Sequence, residues 1–348
     1  MKFVKGGNVS RLLEGISIPK MFHAKQEFDD AKITPEDIPA VVYRELSKPG
    51  IGETIKPGMS IAVTAGSRGV ANVNVITRAI VDFCKEKGAH PFIVPAMGSH
   101  GGALAEGQKE LLAGYDITEE SMGCPIKSSM ETVLLGYSQY GKPVYQDKYA
   151  YEADGIIISC RIKPHNAFRG PYESGVCKMM VVGLGKQTGA ESVHSDGLGN
   201  MARNLPANAR VVLERSSILF AIPCVENAYD ETSIIEAIPR EAIMDREPEL
   251  LKTAFSNMPG ILVGEADVLI VNEMGKNFSG TGVDPNISGT WSTEFGKGGL
   301  KVKRTCFLDL TDCSHGNANG MGLADIITAR LYEKLDPEVI YPNCFTST

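Results

Sequence analysis

Ionisable side chains stand in three short segments that each follow an apolar run. Arg68 lies in TAGSRG, His100 in MGSHGG and His165 in KPHNAF. An arginine holds a carboxylate through two parallel hydrogen bonds, and two imidazoles can act as acid and base near neutral pH. Together the three residues predict a site for an anionic substrate. Each histidine taken alone fits equally well a loop residue whose ring is satisfied by backbone carbonyls.

Lys178 and His194 stand in a stretch rich in glycine and small residues. Lys178 lies in the apolar context SGVCKMMVVG, where an unpaired ammonium is costly, so a covalent or charge-bearing role is favoured. The segment GLGKQTG lacks the spacing of a P-loop and is interpreted as a glycine-rich turn between helical segments. His194 alone predicts no metal site, because no third protein ligand is suitably spaced.

Lys276 follows a strand of the second region directly, in NEMGKN. It is interpreted either as a second cation for the substrate or as a solvated loop lysine.

Composition limits the classes of partner. A net charge of −7 argues against nucleic acid, because no basic stripe is present to neutralise phosphates. No apolar run approaches the roughly 18 residues of a membrane span, and the N-terminus lacks a signal-peptide pattern. We therefore expect a cytoplasmic protein without a membrane partner. The eight cysteines form no C-x-x-C pair, which favours reduced thiols over a zinc or iron–sulfur site.

The elements that position these residues are predicted from apolar periodicity. SIAVTAG and HPFIVPA are typical of buried strands, and each is followed by a helical pattern, so the segment predicts a βαβ unit and a parallel sheet. DGIIISC predicts a further buried strand that leads into RIKPH. Ligands of such sheets bind beyond the carboxyl ends of the strands. The loops carrying Arg68, His100 and His165 are therefore expected to converge.

The rest of the chain predicts further elements of this first unit and then a second unit. A β-hairpin is expected around 139–143, and VVLERSSILFAIPCVENAYD is predicted to be helix-rich. ADVLIVNEMG and KVKRTCFLDL predict strands, and LADIITARLYEKL predicts a helix. We place a domain boundary near Gly260, with an N-terminal cofactor-binding and catalytic domain over 1–259 and a second domain over 260–348. The predicted fold class is α/β, with two α/β domains, largely parallel sheets and an active-site cleft between the domains.

These residues and their spacing resemble the nickel-dependent lactate racemase family, the 2-hydroxyacid racemases and epimerases that use a nickel-pincer nucleotide. Arg68 matches the arginine of a loop after the first core strand, and His100 matches a Gly-x-His loop. Pro164–His165 matches a Pro–His pair, which is followed by a small-residue segment ending in a lysine, here Lys178. His194 matches a histidine sixteen residues beyond that lysine.

The resemblance implies a cofactor, pyridinium-3,5-bisthiocarboxylic acid mononucleotide nickel, covalently attached to Lys178 through a thioamide. It also implies that His194 coordinates the nickel, whose other ligands come from the cofactor. Soft sulfur and imidazole ligands suit nickel. Separate cofactor-biosynthesis proteins are then expected partners, because they load the chain.

The resemblance further implies an isomerase acting on a small anionic hydroxy acid or sugar acid. His100 and His165 would be the acid–base pair on opposite faces of the substrate, and Arg68 and Lys276 would hold the carboxylate. The reaction would be a proton-coupled hydride transfer that passes through a bound 2-keto acid and inverts C2.

Three segments depart from the family pattern. His165 and Lys178 are thirteen residues apart, a longer interval than in lactate racemase itself, because of the insertion-like FRGPYES. TAGSRG replaces an acidic Asp-His-Thr-Arg-Pro loop, and EMGKN replaces a tyrosine-rich helix start. All three affect the substrate pocket, so we expect the same chemistry on a larger hydroxy acid or sugar acid. The chain is also shorter than is usual in the family, and a C-terminal segment is expected to be missing.

Two alternatives remain open from the residues. One is a cofactor-independent lyase or epimerase in which His100 and His165 act directly on a hydroxy acid. The other is a non-catalytic protein that binds sugar acids. Such a protein would need Arg68, but it would not need both histidines or the nickel ligand.

Overall fold

Two sheets and a hairpin organise the residues that the computed structural model describes, which are 6–17, 19–67 and 69–347. The strands of this part of the chain are β1 (Ser60–Ala65), β2 (His90–Pro95), β3 (Thr132–Tyr137), β4 (Pro143–Asp147), β5 (Gly155–Arg161), β6 (Ile218–Glu226), β7 (Thr232–Ile235), β8 (Ile238–Pro239), β9 (Glu265–Val271), β10 (Lys301–Phe307) and β11 (Ile326–Ile327).

The helices of the same residues are α1 (Asn8–Leu12), α2 (Ile38–Leu46), α3 (Val73–Glu86), α4 (Ala105–Ala113), α5 (Glu119–Met122), α6 (Lys148–Tyr151), α7 (Val176–Lys178), α8 (Lys186–His194), α9 (Met201–Arg215), α10 (Ile243–Asn257), α11 (Pro285–Ser288), α12 (Ala329–Glu333) and α13 (Pro337–Ser347). A π-helical turn over Met179–Gly183 continues α7. Among the described residues, no helix is both long and apolar enough to cross a bilayer.

The larger sheet has the strand order β2-β1-β5-β6-β7, with β8 also paired to β6. The pairs β1–β2, β1–β5 and β5–β6 are parallel, whereas β7 and β8 run antiparallel to β6. Its inner strands are apolar on both faces: Ile156, Ile157 and Ile158 are all fully buried. Strands covered by helices on both sides show this continuous apolar run. The predicted α/β class with largely parallel sheets is confirmed.

The prediction of a helix-rich segment over VVLERSSILFAIPCVENAYD is wrong for most of its length. Helix α9 ends at Arg215, and Ile218–Glu226 forms β6, a strand inside the larger sheet. A short apolar run without polar alternation fits a buried strand as well as a buried helix. Here the β-branched and aromatic residues of ILFAIPCVE pack on both faces of the sheet, which favours a strand over a helix.

The second sheet has the order β11-β10-β9, and both of its strand pairs are parallel. Strands β9 and β10 confirm the predicted ADVLIVNEMG and KVKRTCFLDL, but LADIITARLYEKL is only in part helical: α12 is preceded by β11. A separate cluster around Met274, Phe307 and Leu310 forms its core. The boundary predicted near Gly260 falls in the segment between α10 and β9 and stays a prediction.

A buried ammonium at the start of α8 joins four elements of the N-terminal unit. Lys186 and Asp147 have fully buried side chains, and their charged groups are 3.2 Å apart. Lys186 Nζ also donates to the Pro95 carbonyl at 2.5 Å and to Gln108 Oε1 at 3.0 Å. Gln108 Nε2 in turn donates to the His100 carbonyl at 3.2 Å. The lysine of GLGKQTG thus supports the loop that carries His100.

We expect Lys186→Met to lower the free energy of unfolding by about 3–5 kcal/mol, because it leaves the buried carboxyl of Asp147 without its cation. Urea unfolding at neutral pH measures this loss. The matched control is Lys148→Met, which removes an exposed lysine 2.6 Å from Glu131 and should leave the unfolding midpoint nearly unchanged. Equal losses of unfolding free energy in the two variants would show that the buried pair stabilises the fold no more than the exposed one does.

Candidate active site

The loops after β1 and β2 meet at the carboxyl edge of the larger sheet. A hydrogen bond joins Ser67 Oγ to Nδ1 of His100, and Tyr115 Oη donates to the Ser67 carbonyl at 2.8 Å. His100 is exposed, so its ring is accessible to a small molecule. The two loops therefore converge as predicted from the sheet. Arg68, the next residue after Ser67, lies outside the described residues, and its role stays a prediction.

His165 and Lys178 are in direct contact. Lys178 Nζ lies 2.5 Å from His165 Nε2, and the Ala167 amide donates to His165 Nδ1 at 3.1 Å. Burial lowers the pKa of His165 well below its ordinary value, and Lys178 and His194 add to the shift. His165 is thus held as a neutral base at physiological pH.

Lys178 is the last residue before the helix widens into the π-helical turn. Such turns are rare and occur often at functional sites. The turn also supports the His100 loop, because the Gly98 amide donates to the Gly183 carbonyl at 3.1 Å. A Cβ on Gly183 would lie 2.7 Å from the Ala96 carbonyl oxygen, so only glycine allows this close approach. The segment of Lys178 and the loop of His100 are packed directly against each other.

Glu247 of α10 lies against the first turn of α7 and accepts a hydrogen bond from it. Its Oε2 accepts the Cys177 amide at 2.8 Å, and a Cβ on Gly175 would lie 2.2 Å from its Oε1. Burial raises the pKa of Glu247 to about 7. Burial likewise raises the pKa of the Cys177 thiol well above its ordinary value, as expected for an unreactive cysteine. Glu247 thus caps the helix that presents Lys178.

His194 ends α8 and presents one bare ring nitrogen. Its Nδ1 lies 2.6 Å from the Ala190 carbonyl and donates to it, so Nε2 keeps its lone pair. Burial lowers the pKa of His194, which keeps the ring neutral. A neutral imidazole fixed through its other nitrogen is a common metal ligand. Among the described residues, no group of three or more His, Cys, Asp and Glu side chains could hold a metal. A metal here would take its other ligands from a cofactor.

Lys276 lies in the second unit, in the loop after β9. Its amide donates to Ser314 Oγ at 2.9 Å, and its ammonium donates to the carbonyls of Gly280 and Asn319 at 2.5 and 3.3 Å. These contacts order the loop itself. The assignment of Lys276 to the substrate carboxylate stays a prediction.

A cavity of about 350 Å³ lies between the two units, beside the segment that leads to His165. The N-terminal unit contributes the end of β5 and Lys163 just beyond it, the loop between β6 and β7, and the end of α10 with the residues that follow it. The second unit contributes residues between 271 and 287. Lys163 Nζ lies 3.6 Å from Asp284 of the opposite side. The cavity is therefore lined by both units, with charged and apolar groups.

Sequence reasoning missed Glu247, Lys186 and Arg169 as supports of the site. One signal was present for Glu247: it occupies an apolar position of α10, in line with the buried Ile243, Leu250 and Leu251. A carboxylate on the buried stripe of an amphipathic helix indicates a buried polar partner.

We expect Glu247→Gln to change how stability depends on pH. The folded chain keeps the Glu247 proton up to about pH 7, whereas an unfolded glutamate loses it near pH 4.5. The wild type should therefore lose about 2–4 kcal/mol relative to Glu247→Gln as pH rises through this window. Urea unfolding at half-unit pH steps measures the difference. Glu249→Gln, at an exposed position of the same helix, is the control. Parallel curves for the wild type and Glu247→Gln would contradict the assignment.

Comparison with known proteins places this geometry in a family. The sequence profile of the lactate racemase N-terminal domain matches residues 20–204, more than half of the 348-residue chain. No curated protein sequence matches the chain.

Two solved structures share the fold. The lactate racemase apoprotein from Thermoanaerobacterium thermosaccharolyticum superposes with a TM-score of 0.52 at 18% identity, over 70% of this chain and 60% of that one. A Thermotoga maritima protein superposes with a TM-score of 0.57 at 13% identity, over 81% of this chain and 72% of that one. The chain thus spans about 60% of the racemase structure, and at these identities the likeness shows the fold alone. The chain belongs to the lactate racemase N-terminal domain family.

Proposed function

We propose that the chain is a racemase or epimerase that inverts C2 of a 2-hydroxy acid or sugar acid. The observation that carries the proposal is the 2.5 Å contact between Lys178 Nζ and His165 Nε2, inside the segment that matches the family. The contact places the amine that would hold a cofactor covalently beside the imidazole that would act as a base.

The residues present fit a nickel-pincer nucleotide. Lys178 would hold it covalently, and Nε2 of His194 would ligate the nickel. When bound, the nucleotide supplies an acceptor and donor of hydride, which no side chain provides. The electrostatic influence of Lys178 and His194 on His165 supports the view that the three side chains face a common space.

Proton transfer is the part that the chain itself carries out. His165, held neutral, would accept the proton of the substrate 2-hydroxyl on one face, and His100 would serve the opposite face. Two bases are needed because the two configurations at C2 place their hydroxyl groups on opposite sides. Arg68 and Lys276 would hold the carboxylate, with Arg68 suited to a bidentate contact. The same pair of histidines would return the proton after inversion.

The substrate we propose is larger than lactate. The TAGSRG loop and the FRGPYES segment, which flank predicted site residues, both depart from the family pattern. A sugar acid has the carboxylate and 2-hydroxyl that the reaction needs, together with a polar tail.

We expect the chain, when produced together with cofactor-biosynthesis proteins, to carry a mass adduct of nucleotide size and about one nickel. Intact-protein mass and metal analysis measure the two. Lys178→Ala should lose the adduct, whereas His194→Ala should keep the adduct and lose most of the nickel. Lys148→Ala is the control and should keep both. If a known racemase is loaded in the same cells and this chain is not, the cofactor assignment is wrong. Direct acid–base chemistry or simple binding would then explain the histidines.

For the loaded protein, we expect His165→Ala and His100→Ala each to lower kcat for C2 inversion by about 10²–10⁴-fold, since each removes a proton-transfer group. The assay follows optical rotation or chromatography of 2-hydroxy acids and sugar acids, with adduct mass checked for each variant. His90→Ala, at an exposed histidine of β2, should retain the full rate. An unchanged rate in either site variant would exclude that histidine as acid or base.

A further inference from the structure

Arg169 lies in the FRGPYES segment between His165 and Lys178 and reaches both units of the chain. Its Nη1 donates to the His165 carbonyl at 2.8 Å and lies 3.2 Å from Glu173 Oε2. Its Nε donates to the Lys297 carbonyl at 3.1 Å, and its Nη2 donates to Asn286 Oδ1. One guanidinium thus connects the backbone of a predicted catalytic residue to the second unit.

The guanidinium also lies between two aromatic rings. Its carbon is 4.5 Å from the centre of the Trp291 ring and 5.0 Å from that of Phe255. Trp291 belongs to the second unit and Phe255 to α10 of the first. A planar guanidinium stacks on rings and donates in its plane at the same time, which an ammonium cannot do. Only arginine can make all of these contacts.

The peptide groups of His165 are held from both sides. The His165 amide donates to Glu173 Oε2 at 2.6 Å, and its carbonyl accepts from Arg169 and, at 3.2 Å, from Asn286 Nδ2. Glu173 is almost fully buried, so this arrangement is shielded from water.

The second unit continues along the same loop. The amide of Arg169 donates to the Phe295 carbonyl at 3.1 Å, and Thr293 Oγ1 donates to the Ala167 carbonyl. Residues 286–297 thus run beside residues 165–169 and contact them at several points. The main chain around His165 is therefore in contact with a segment of the second unit.

We propose that Arg169 is a positioning residue that makes the placement of the His165 ring depend on docking of segment 286–297. Its catalytic consequence rests on the proposed function, but its structural consequence does not. The FRGPYES segment, which lengthens the interval between His165 and Lys178, then supplies the side chain that joins the proton-transfer loop to the second unit.

The first test uses Trp291, the single tryptophan of the chain, as a reporter. In unloaded protein, Arg169→Lys should shift the emission of Trp291 to longer wavelength, because the indole loses the planar guanidinium that stacks on it and gains water. The ring resonances of His165, assigned by comparison with His165→Gln, should move in the NMR spectrum of histidine-labelled protein. The control is Arg246→Lys on α10, which alters a bidentate surface pair with Glu236. It should change neither the emission of Trp291 nor the resonances of His165. Unchanged emission and unchanged His165 resonances in Arg169→Lys would overturn the proposal.

The second test substitutes a residue of the second unit. It tests the same proposal if Arg169→Lys does not fold. Asn286→Ala removes one donor to the His165 carbonyl and should move the same His165 resonances. In loaded protein, each substitution should lower kcat at least tenfold with KM changed less than threefold. The double variant should lose no more than the larger single effect, because both residues act on one carbonyl. Multiplied effects would overturn the proposal. A wild type without racemase activity would refute the proposed function and leave the emission and NMR results to judge Arg169.

Discussion

Parallel pairing of β1 with β2 and β5 is the constraint on which the site depends. Because these strands run in one direction, the loops that follow them leave the sheet at one edge. The register aligns Ala65 with Pro95 and Val63 with Ile157, so the loops begin at similar heights. This pairing brings the loops of Ser67 and His100 together, and a hydrogen bond joins the two side chains.

Buried polar groups then hold the loops in place. Lys186, Glu247 and Glu173 are almost fully buried. Glu247 and Glu173 accept the amides of Cys177 and His165, and Lys186 holds Gln108, which donates to the His100 carbonyl. A buried charge costs free energy unless its partners are placed well. Lys186 is paired with Asp147 and Glu173 with Arg169, whereas Glu247 avoids the cost by keeping its proton up to about pH 7.

Sequence patterns predicted the fold class, the βαβ unit and the meeting of the loops after β1 and β2, because these follow from apolar periodicity and chain direction alone. They also singled out His165 and Lys178, which the structure brings into contact. The supports were not predictable in the same way: whether Lys186 or Glu247 is buried depends on helices that pack from distant parts of the chain. β6 was missed because its apolar run carries no period. Arg68 and Lys276 keep the roles predicted for them as predictions.

The π-helical turn after Lys178 has a consequence for how the segment tolerates changes in length. An α-helix rotates by about 100° per residue, so the wide turn at Met179–Gly183 adds an angular offset between α7 and α8. The π-helical turn holds one residue more than a turn of α-helix. One of the sixteen positions from Lys178 to His194 therefore changes the direction in which the later side chains point. A chain shorter by one residue here would keep both side chains and the same apolar composition, yet aim them in different directions. The length of this stretch is therefore constrained together with its close-packed glycines, Gly183 and Gly185.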